Sequence, residues 1–275
     1  MKRLAAILLL AGCAHVPDSG PDDPIAEIWS EYADGIDGAE VSVALVRDGI
    51  PTFAGDPKAI YRLGDFTEFF VLESARKLEE RGVIDLDRPL TAFARFAIDP
   101  LYGKITMRRL AALESEPIST DNTLAFLSER YPWVSDARFA LFTALLENAV
   151  GKTVDEIVRD EVVLPLQLHD TSFTPSADKS PRVMSRAQSL DGIYSSVEDC
   201  VKLFASSEHV RSSVRLRQRR AEGDVKLDCA VGHALGGRRF VAYPEDGRDF
   251  LLVFRNQSSW LQNKDFEFAS KMLAR

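Results

Sequence analysis

The segment from Arg62 to Leu90 limits the possible folds of this chain more than any other part of the sequence. It begins as a short predicted strand, turns at Gly64 and continues as a helix whose early turns are mostly apolar. The apolar residues of these turns are Phe66, Phe69, Phe70, Val71 and Leu72. A helix that is apolar around most of its surface must be surrounded by other elements. The segment therefore predicts a central buried helix that starts at Asp65 and stops at Gly82.

This segment resembles the nucleophile region of the serine β-lactamase and penicillin-binding-protein superfamily, in particular its class C β-lactamase and esterase branch. In that family a serine opens the central helix, and a lysine follows three residues later on the same face. Counting back from Gly82 and from the Asp-Leu-Asp tripeptide at residues 85–87 places the serine position at Asp65 and the lysine position at Glu68. The resemblance therefore predicts the family's framework without either reactive residue.

Two further segments resemble landmarks of the same family. Residues 164–173 (LPLQLHDTSF) are similar to its Pro-Leu-Gly-Met…Thr-x-Phe turn, with Gln167 in the glycine position. Residues 191–199 (DGIYSSVED) are similar to the loop that leads into a helix and returns the chain to the sheet, and Ser196 is a suitable N-cap for that helix. The resemblance covers residues 25–275, which implies that the chain from Ile25 onward forms one domain of the family.

The resemblance implies an α/β fold of the β-lactamase type, an antiparallel sheet flanked by helices plus a mostly helical subdomain. We expect residues 25–90 and 191–275 to form the α/β part and residues 91–190 the helical part. Apolar spacing and turn residues predict the individual elements. The predicted helices are 25–32, 105–113 with Thr106 as its cap, 120–131, 137–150, 153–162 and 260–273, and the predicted strands are 41–46, 50–53, 238–243 and 250–254.

The other catalytic positions of the family are also altered. The family acts by acyl transfer: a serine attacks a carbonyl, a lysine and a tyrosine handle its proton, and backbone donors hold the developing charge. The Tyr-x-Asn position falls on Val134 and Asp136, and valine has no proton to relay. The Lys/His-x-Gly position retains His233 but has leucine in place of glycine. The stretch that corresponds to His-Thr-Ser-Gly contains Ser115.

Two other Ser-x-x-Lys matches occur, at Ser74…Lys77 and at Ser176…Lys179. The first lies in the middle of the predicted central helix, far from where a pocket would open, and the second lies in a loop. A motif this short occurs often by chance. We therefore assign no catalytic residue to this chain.

The resemblance implies that Asp65, Glu68, Asp136 and His233 converge on one cleft, near Ser115 and Val134. Confined carboxylates need compensation by a proton, an arginine or a cation. A polar remnant pocket without metal or cofactor is the first interpretation. A divalent cation held by Asp65, Glu68, Asp136 and His233 is the second. Asp65 also suits a simple helix cap that complements the helix dipole.

The N-terminus has the arrangement of an export signal, because Lys2 and Arg3 precede an apolar run at residues 4–11. The run ends in Leu-Ala-Gly-Cys13, which resembles a bacterial lipobox. This predicts a lipoprotein signal peptide at residues 1–12, diacylation of Cys13 with palmitate-type chains, and a polar tether at residues 13–24. A plain secretory signal is the alternative. With the lipid on Cys13, we expect the domain to be anchored at the bacterial cell envelope, facing the periplasm or the exterior.

The charged residues and cysteines of the chain limit the kinds of partner and bond that we expect. The formal net charge of −8 argues against a general nucleic-acid binder, since phosphate contacts need a basic face. The basic run at residues 211–220 suits a solvated helix face or loop, and contact with anionic lipid or cell-wall polymer is the alternative. Cys200 and Cys229 are either a bridged pair in an oxidising compartment or two buried free thiols.

These inferences predict a catalytically impaired β-lactamase-related lipoprotein that serves as an envelope-anchored binding or accessory module. Its expected partners are the membrane, through lipid on Cys13, and an envelope protein or cell-wall ligand. A residual hydrolase or esterase of altered mechanism, with Asp65 or His233 acting as a base on water, is one alternative. A purely structural envelope protein is another.

Overall fold

The computed structural model describes residues 40–95, 98, 104–112, 137–173, 192–215, 218–222, 225–234, 237–245, 247–256 and 262–274. The predicted helices at residues 25–32 and 120–131, the signal peptide and Cys13 lie outside this part of the chain. Residues 91–190 are described only in part, so the predicted division into two subdomains stays a prediction. Helices and strands are numbered below in chain order over the described residues.

Six strands form one antiparallel sheet in the order β2-β1-β8-β7-β6-β5. They are β1 Val41–Arg47, β2 Ile50–Ala54, β5 Gln218–Glu222, β6 Val225–Ala234, β7 Gly237–Pro244 and β8 Phe250–Arg255. Two short strands, β3 Tyr61–Arg62 and β4 Tyr194–Ser195, pair with each other beside the large sheet. The predicted hairpin is present, because Asp48 and Gly49 both take the left-handed backbone that a tight β1–β2 turn requires, with φ of 50° and 79°.

Seven α-helices occur in the described residues. They are α1 Thr67–Glu80, α2 Met107–Ala111, α3 Ala137–Val150, α4 Val154–Val158, α5 Val197–Ser206, α6 Glu208–Arg215 and α7 Gln262–Leu273. A 3₁₀ turn at Gly64–Phe66 precedes α1, so the α-helix itself begins two residues after the predicted start at Asp65. The bounds of α3 and the caps of α2 by Thr106 and of α5 by Ser196 agree with the prediction.

The sheet separates two hydrophobic cores. On one face Ala44, Leu252 and Phe254 belong to the larger core, which also contains residues of α1, α3 and α5. On the other face Val43 and Leu251 pack with residues of α7. Alternate residues of β1 and β8 thus pack into opposite cores, because successive side chains of a strand point to opposite faces of the sheet. Helix α1 lies in the larger core, where its apolar residues 69–72 are at most 4% exposed, so the prediction of a central buried helix is confirmed.

The two described cysteines form no disulfide and lie on opposite sides of the sheet. Cys200 belongs to the core around α1, and Cys229 belongs to the core under α7. The intervening sheet excludes a bridge between them, so the free-thiol alternative is confirmed. Burial raises the pKa of Cys200 to about 12, which leaves its thiol protonated and unreactive.

The basic run at residues 211–220 divides between helix α6 and the edge strand β5. The prediction of a helix or loop missed this strand, because its sequence QRRAE lacks apolar alternation. Backbone pairing of Arg219 with Asp228 and of Arg220 with Leu227 supplies the hydrogen bonds that make it a strand. No helix within the described ranges is both long enough and apolar enough to cross a bilayer.

Candidate functional site

The first turn of the central helix lies against the end of β6. The backbone N–H of His233 donates a hydrogen bond to Oδ2 of Asp65 over 3.0 Å. The structure therefore brings together two of the residues that the sequence predicted to meet. Asp65 is partly exposed and the His233 side chain is exposed, so this contact lies at the surface of the domain.

Two glycines make this close approach possible. Gly64 has a φ of 54°, and a Cβ on it would lie 2.0 Å from the carbonyl oxygen of His233. A Cβ on Gly232 would lie 2.5 Å from Cδ1 of the Phe66 ring. Any side chain at either position would push α1 away from β6, which would separate Asp65 from the strand.

The contact changes the interpretation of Asp65. Neither the 3₁₀ turn nor α1 has a side-chain cap hydrogen bond at its N-terminus. The suggestion that Asp65 caps the helix is therefore wrong, because its carboxylate bonds to the strand instead. The charge still lies in the first turn, where it complements the helix dipole.

Glu68 occupies the position that resembles the family's lysine. It lies on α1 and is only 2% exposed. The resemblance thus predicts that this buried carboxylate replaces a cation that the family keeps within reach of the nucleophile. Ser115, Val134 and Asp136 lie outside the described residues, so the convergence of all six pocket positions stays a prediction.

Among the described residues, one group of three side chains is close enough together to ligate a metal ion. It lies at the C-terminal end of α1, away from Asp65. Oxygen atoms of Glu79, Asp85 and Asp87 lie within 4.8 Å of one another. Arg108 bridges this group, with Nη2 2.6 Å from Glu79 and Nε 2.8 Å from Asp87. Its hydrogen bond lowers the pKa of Asp87. The charge of these carboxylates is therefore compensated by an arginine. The predicted cation site at Asp65 has Asp136 among its ligands, and Asp136 lies outside the described residues, so that site stays a prediction.

A buried arginine supports the strand before the helix. Arg239 is 1% exposed, and its guanidinium donates to the carbonyl oxygens of Arg62 over 2.8 Å and of Arg255 over 2.6 Å. It lies 4.9 Å from the centre of the Tyr61 ring and 5.4 Å from that of Phe254. Burial is the main reason that the pKa of Arg239 is lowered, to about 9. No pattern in the sequence predicted this role, because arginine in a strand usually faces solvent.

The loop before α5 also fixes the start of the central helix. The backbone N–H of Ile193 donates to Oγ1 of Thr67 over 3.0 Å, and that of Leu63 donates to the carbonyl oxygen of Ile193 over 2.8 Å. Thr67 is fully buried. The segment at residues 191–199, predicted to be a family landmark, thus holds the residues on both sides of Asp65.

The other landmark turn contacts the first turn of α5 through Asp199. This buried carboxylate accepts hydrogen bonds from the N–H of Asp170 over 2.7 Å and from Oγ1 of Thr171 over 3.0 Å. Lys202 forms an ion pair with it over 2.8 Å. Gln167, in the glycine position of this turn, has a φ of 53°. The turn therefore keeps the left-handed backbone of a glycine without having one.

These features agree with a comparison against known proteins. A model of the Beta-lactamase family matches residues 25–250. A D-alanyl-D-alanine-carboxypeptidase/endopeptidase, AmpH of Escherichia coli K12, is 26% identical over 153 residues, which cover 46% of this chain and 40% of that protein. The homologue from Escherichia coli O157:H7 matches equally. The chain thus spans less than half the length of these curated relatives.

Solved structures share the fold at lower identity. A class C β-lactamase from Rhodobacter sphaeroides superposes with a TM-score of 0.67 at 14% identity, over 90% of this chain and 97% of that one. A β-lactamase/D-alanine carboxypeptidase from Yersinia pestis, in complex with citrate, gives 0.62 at 18% identity over the same shares. The antiparallel sheet between helices is therefore the β-lactamase fold, and this chain belongs to the Beta-lactamase family.

Proposed function

We propose that this protein is a catalytically impaired member of the β-lactamase family that acts as an envelope-anchored binding or accessory module. The observation that carries the proposal is the Asp65 carboxylate, bonded to the backbone N–H of His233 at the position that resembles the family's nucleophile. A carboxylate is a poor acyl acceptor, because the mixed anhydride would form uphill. Its negative charge at this position also opposes the negative charge that develops on an attacked carbonyl.

Glu68 supports the same conclusion from the lysine position. The family needs a basic amine there to take the proton of the nucleophile. Glu68 supplies a buried carboxylate instead, in the first turn of α1 and three residues after Asp65. Two acidic residues in the two reactive positions leave the central helix without a nucleophile and without its base.

A pocket that does not hydrolyse a substrate can still bind a ligand. The curated relatives are named D-alanyl-D-alanine-carboxypeptidase/endopeptidase, so peptides that end in D-alanine are the ligand class we propose to test first. A lipid on Cys13 and the tether at residues 13–24 would hold the domain within reach of such cell-wall ligands or of an envelope protein.

Labelling with a fluorescent penicillin tests the absence of a nucleophile. A covalent adduct requires an attacking serine, so we expect no labelled band for this protein, beside a strong band for an active serine penicillin-binding enzyme. We also expect no hydrolysis of a chromogenic cephalosporin or of a nitrophenyl ester above the buffer rate. A labelled band that a single serine substitution removes would overturn the proposal.

The residual hydrolase is the second candidate, and the exposed side chain of His233, whose backbone N–H bonds to Asp65, favours it. Hydrolysis by the purified protein that is lost in both Asp65→Asn and His233→Gln would establish this alternative. Hydrolysis that is equal in the protein and in both variants would come from a contaminant.

Anchoring has its own test. We expect a clickable palmitate analogue to label the protein expressed in a bacterial host, and Cys13→Ser to remove both the label and the membrane association. A mature chain that is released without lipid would support the plain secretory signal.

A further inference from the structure

A cavity of about 510 Å³ opens behind the C-terminal end of α1. Its walls come from the loop after α1, from residues 92–95 and from Asn148 and Ala149 at the end of α3. Helix α1 is 14 residues long, which places the cavity about 20 Å from Asp65. It is therefore separate from the site described above.

Two arginines give this cavity a positive lining. Arg88 and Arg95 both line it, and both are exposed. Within the described residues neither forms an ion pair, whereas most of the arginines around α1 do, such as Arg76 and Arg108. The Arg88 guanidinium lies over the Phe93 ring, 5.7 Å from its centre. A cation–π contact of this kind holds the guanidinium beside the ring and leaves its N–H donors available.

Apolar side chains form the smaller part of the exposed lining. Ile84, Ala92, Phe93 and Ala149 contribute hydrocarbon, and Ile84 is only 7% exposed. Among the described residues of the lining Asp85 alone is acidic, and its Oδ1 accepts a hydrogen bond of 3.0 Å from the N–H of Asp87. These described residues, with two guanidiniums and one carboxylate, carry an excess of one positive charge.

We propose that this cavity binds a small monoanionic carboxylate with an apolar body, such as an N-acylated amino acid. The planar guanidinium matches a carboxylate through two parallel hydrogen bonds. The exposed hydrocarbon of the lining contacts the acyl or aromatic part, and the volume lies within the usual range for small-molecule sites, about 300–1,000 Å³. Asp85 disfavours a dianion such as a phosphate monoester.

Titration calorimetry tests this with N-acetyl-phenylalanine as the probe. We expect saturable binding at one site, no binding of the neutral N-acetyl-phenylalaninamide, and weaker binding of phenyl phosphate than of the carboxylate. We expect the double variant Arg88→Gln/Arg95→Gln to lose at least about tenfold in affinity, or about 1.4 kcal/mol. Arg248→Gln, an exposed arginine on the β7–β8 turn, is the matched control and should bind as the unmodified protein does.

Methyl labelling of alanine locates the bound probe. Signals of Ala92, Ala94 and Ala149 should shift on addition of N-acetyl-phenylalanine, and that of the buried sheet residue Ala230 should not. Equal binding of acid and amide, equal binding by the double variant, or an absence of saturable binding up to about 10 mM would each overturn the proposal. None of these outcomes bears on the Asp65 site, which lies at the other end of α1.

Discussion

Gly64 decides how closely the central helix approaches the sheet. Its backbone is left-handed, and a Cβ there would lie 2.0 Å from the carbonyl oxygen of His233. Gly49 has the same kind of backbone, with a φ of 79°, but nothing lies within 4 Å of the place of its Cβ. An alanine at Gly49 would cost only the free energy of the left-handed backbone, whereas an alanine at Gly64 would add the free energy of the clash with His233.

We expect Gly64→Ala to lower the free energy of unfolding by at least about 3 kcal/mol, because left-handed strain and a backbone clash add. Gly49→Ala should cost only about 1–2 kcal/mol, from the strain alone. Urea unfolding of the two variants measures the difference. Equal losses in both variants would show that β6 and the helix start move apart without cost.

Gln167 occupies a glycine position at a price in conformational strain. Its φ of 53° is left-handed, and its side chain is exposed. We expect Gln167→Gly to raise the free energy of unfolding by up to about 1 kcal/mol, since glycine adopts this backbone freely. Gln167→Ala keeps the Cβ and should change stability by less than about 0.5 kcal/mol. Thermal unfolding of both variants measures the effect, and a destabilised glycine variant would contradict it.

At the scale of the element, helix α7 is attached to the sheet by a buried charge. Asp265 is fully buried, and its Oδ2 lies 2.8 Å from Nε of Arg238 and 3.1 Å from Nη2 of Arg255. These two arginines face each other on β7 and β8. Removal of the carboxylate leaves two neighbouring buried guanidiniums without it.

We expect Asp265→Ala to lower the free energy of unfolding by about 3–5 kcal/mol, the usual cost of removing one partner of a buried ion pair. Glu267→Ala lies on the same helix at an exposed position, so it should stay within about 0.5 kcal/mol of the unmodified protein. Denaturant unfolding followed by circular dichroism compares the two. A loss for Asp265→Ala as small as that of the control would mean that α7 is held by its apolar face alone.

Comparing the predicted helices and strands with the observed ones shows which elements a sequence pattern can predict. Helices α3 and α5 follow from local spacing and capping: the structure gives α3 its predicted bounds, and α5 begins directly after its predicted cap, Ser196. Strand β5 does not, because the residues at 218–222 have no strand pattern of their own. Its hydrogen bonds come from β6, so only the pairing makes it a strand.

At the scale of the whole molecule, a partly buried histidine makes stability depend on pH. Burial is the largest cause of the lowered pKa of His209, and Glu73 acts against it while Arg76 acts with it. Below about pH 6.5 the unfolded chain takes up a proton on this histidine that the folded protein resists. The unfolded state then binds more protons, so the stability of the folded protein falls as the pH decreases.

We expect the loss of unfolding free energy between about pH 7.5 and pH 5 to be smaller in His209→Gln than in the unmodified protein. His169→Gln, at an exposed position in a turn, should keep the full loss. Urea unfolding at several pH values measures the three slopes. Equal slopes for His209→Gln and the unmodified protein would show that other groups carry the whole pH dependence.

The sequence by itself determined the central buried helix and most of the strands, because these follow from local spacing along the chain. Its resemblance to the β-lactamase family predicted the fold, and the family match agrees with that prediction. Only the tertiary structure decided that Asp65 bonds to β6, that Arg239 lies in the core, and that Cys200 and Cys229 lie on opposite sides of the sheet. Each of these depends on contacts between residues far apart in the chain, which the packing of α1 against the sheet brings together and no local pattern encodes.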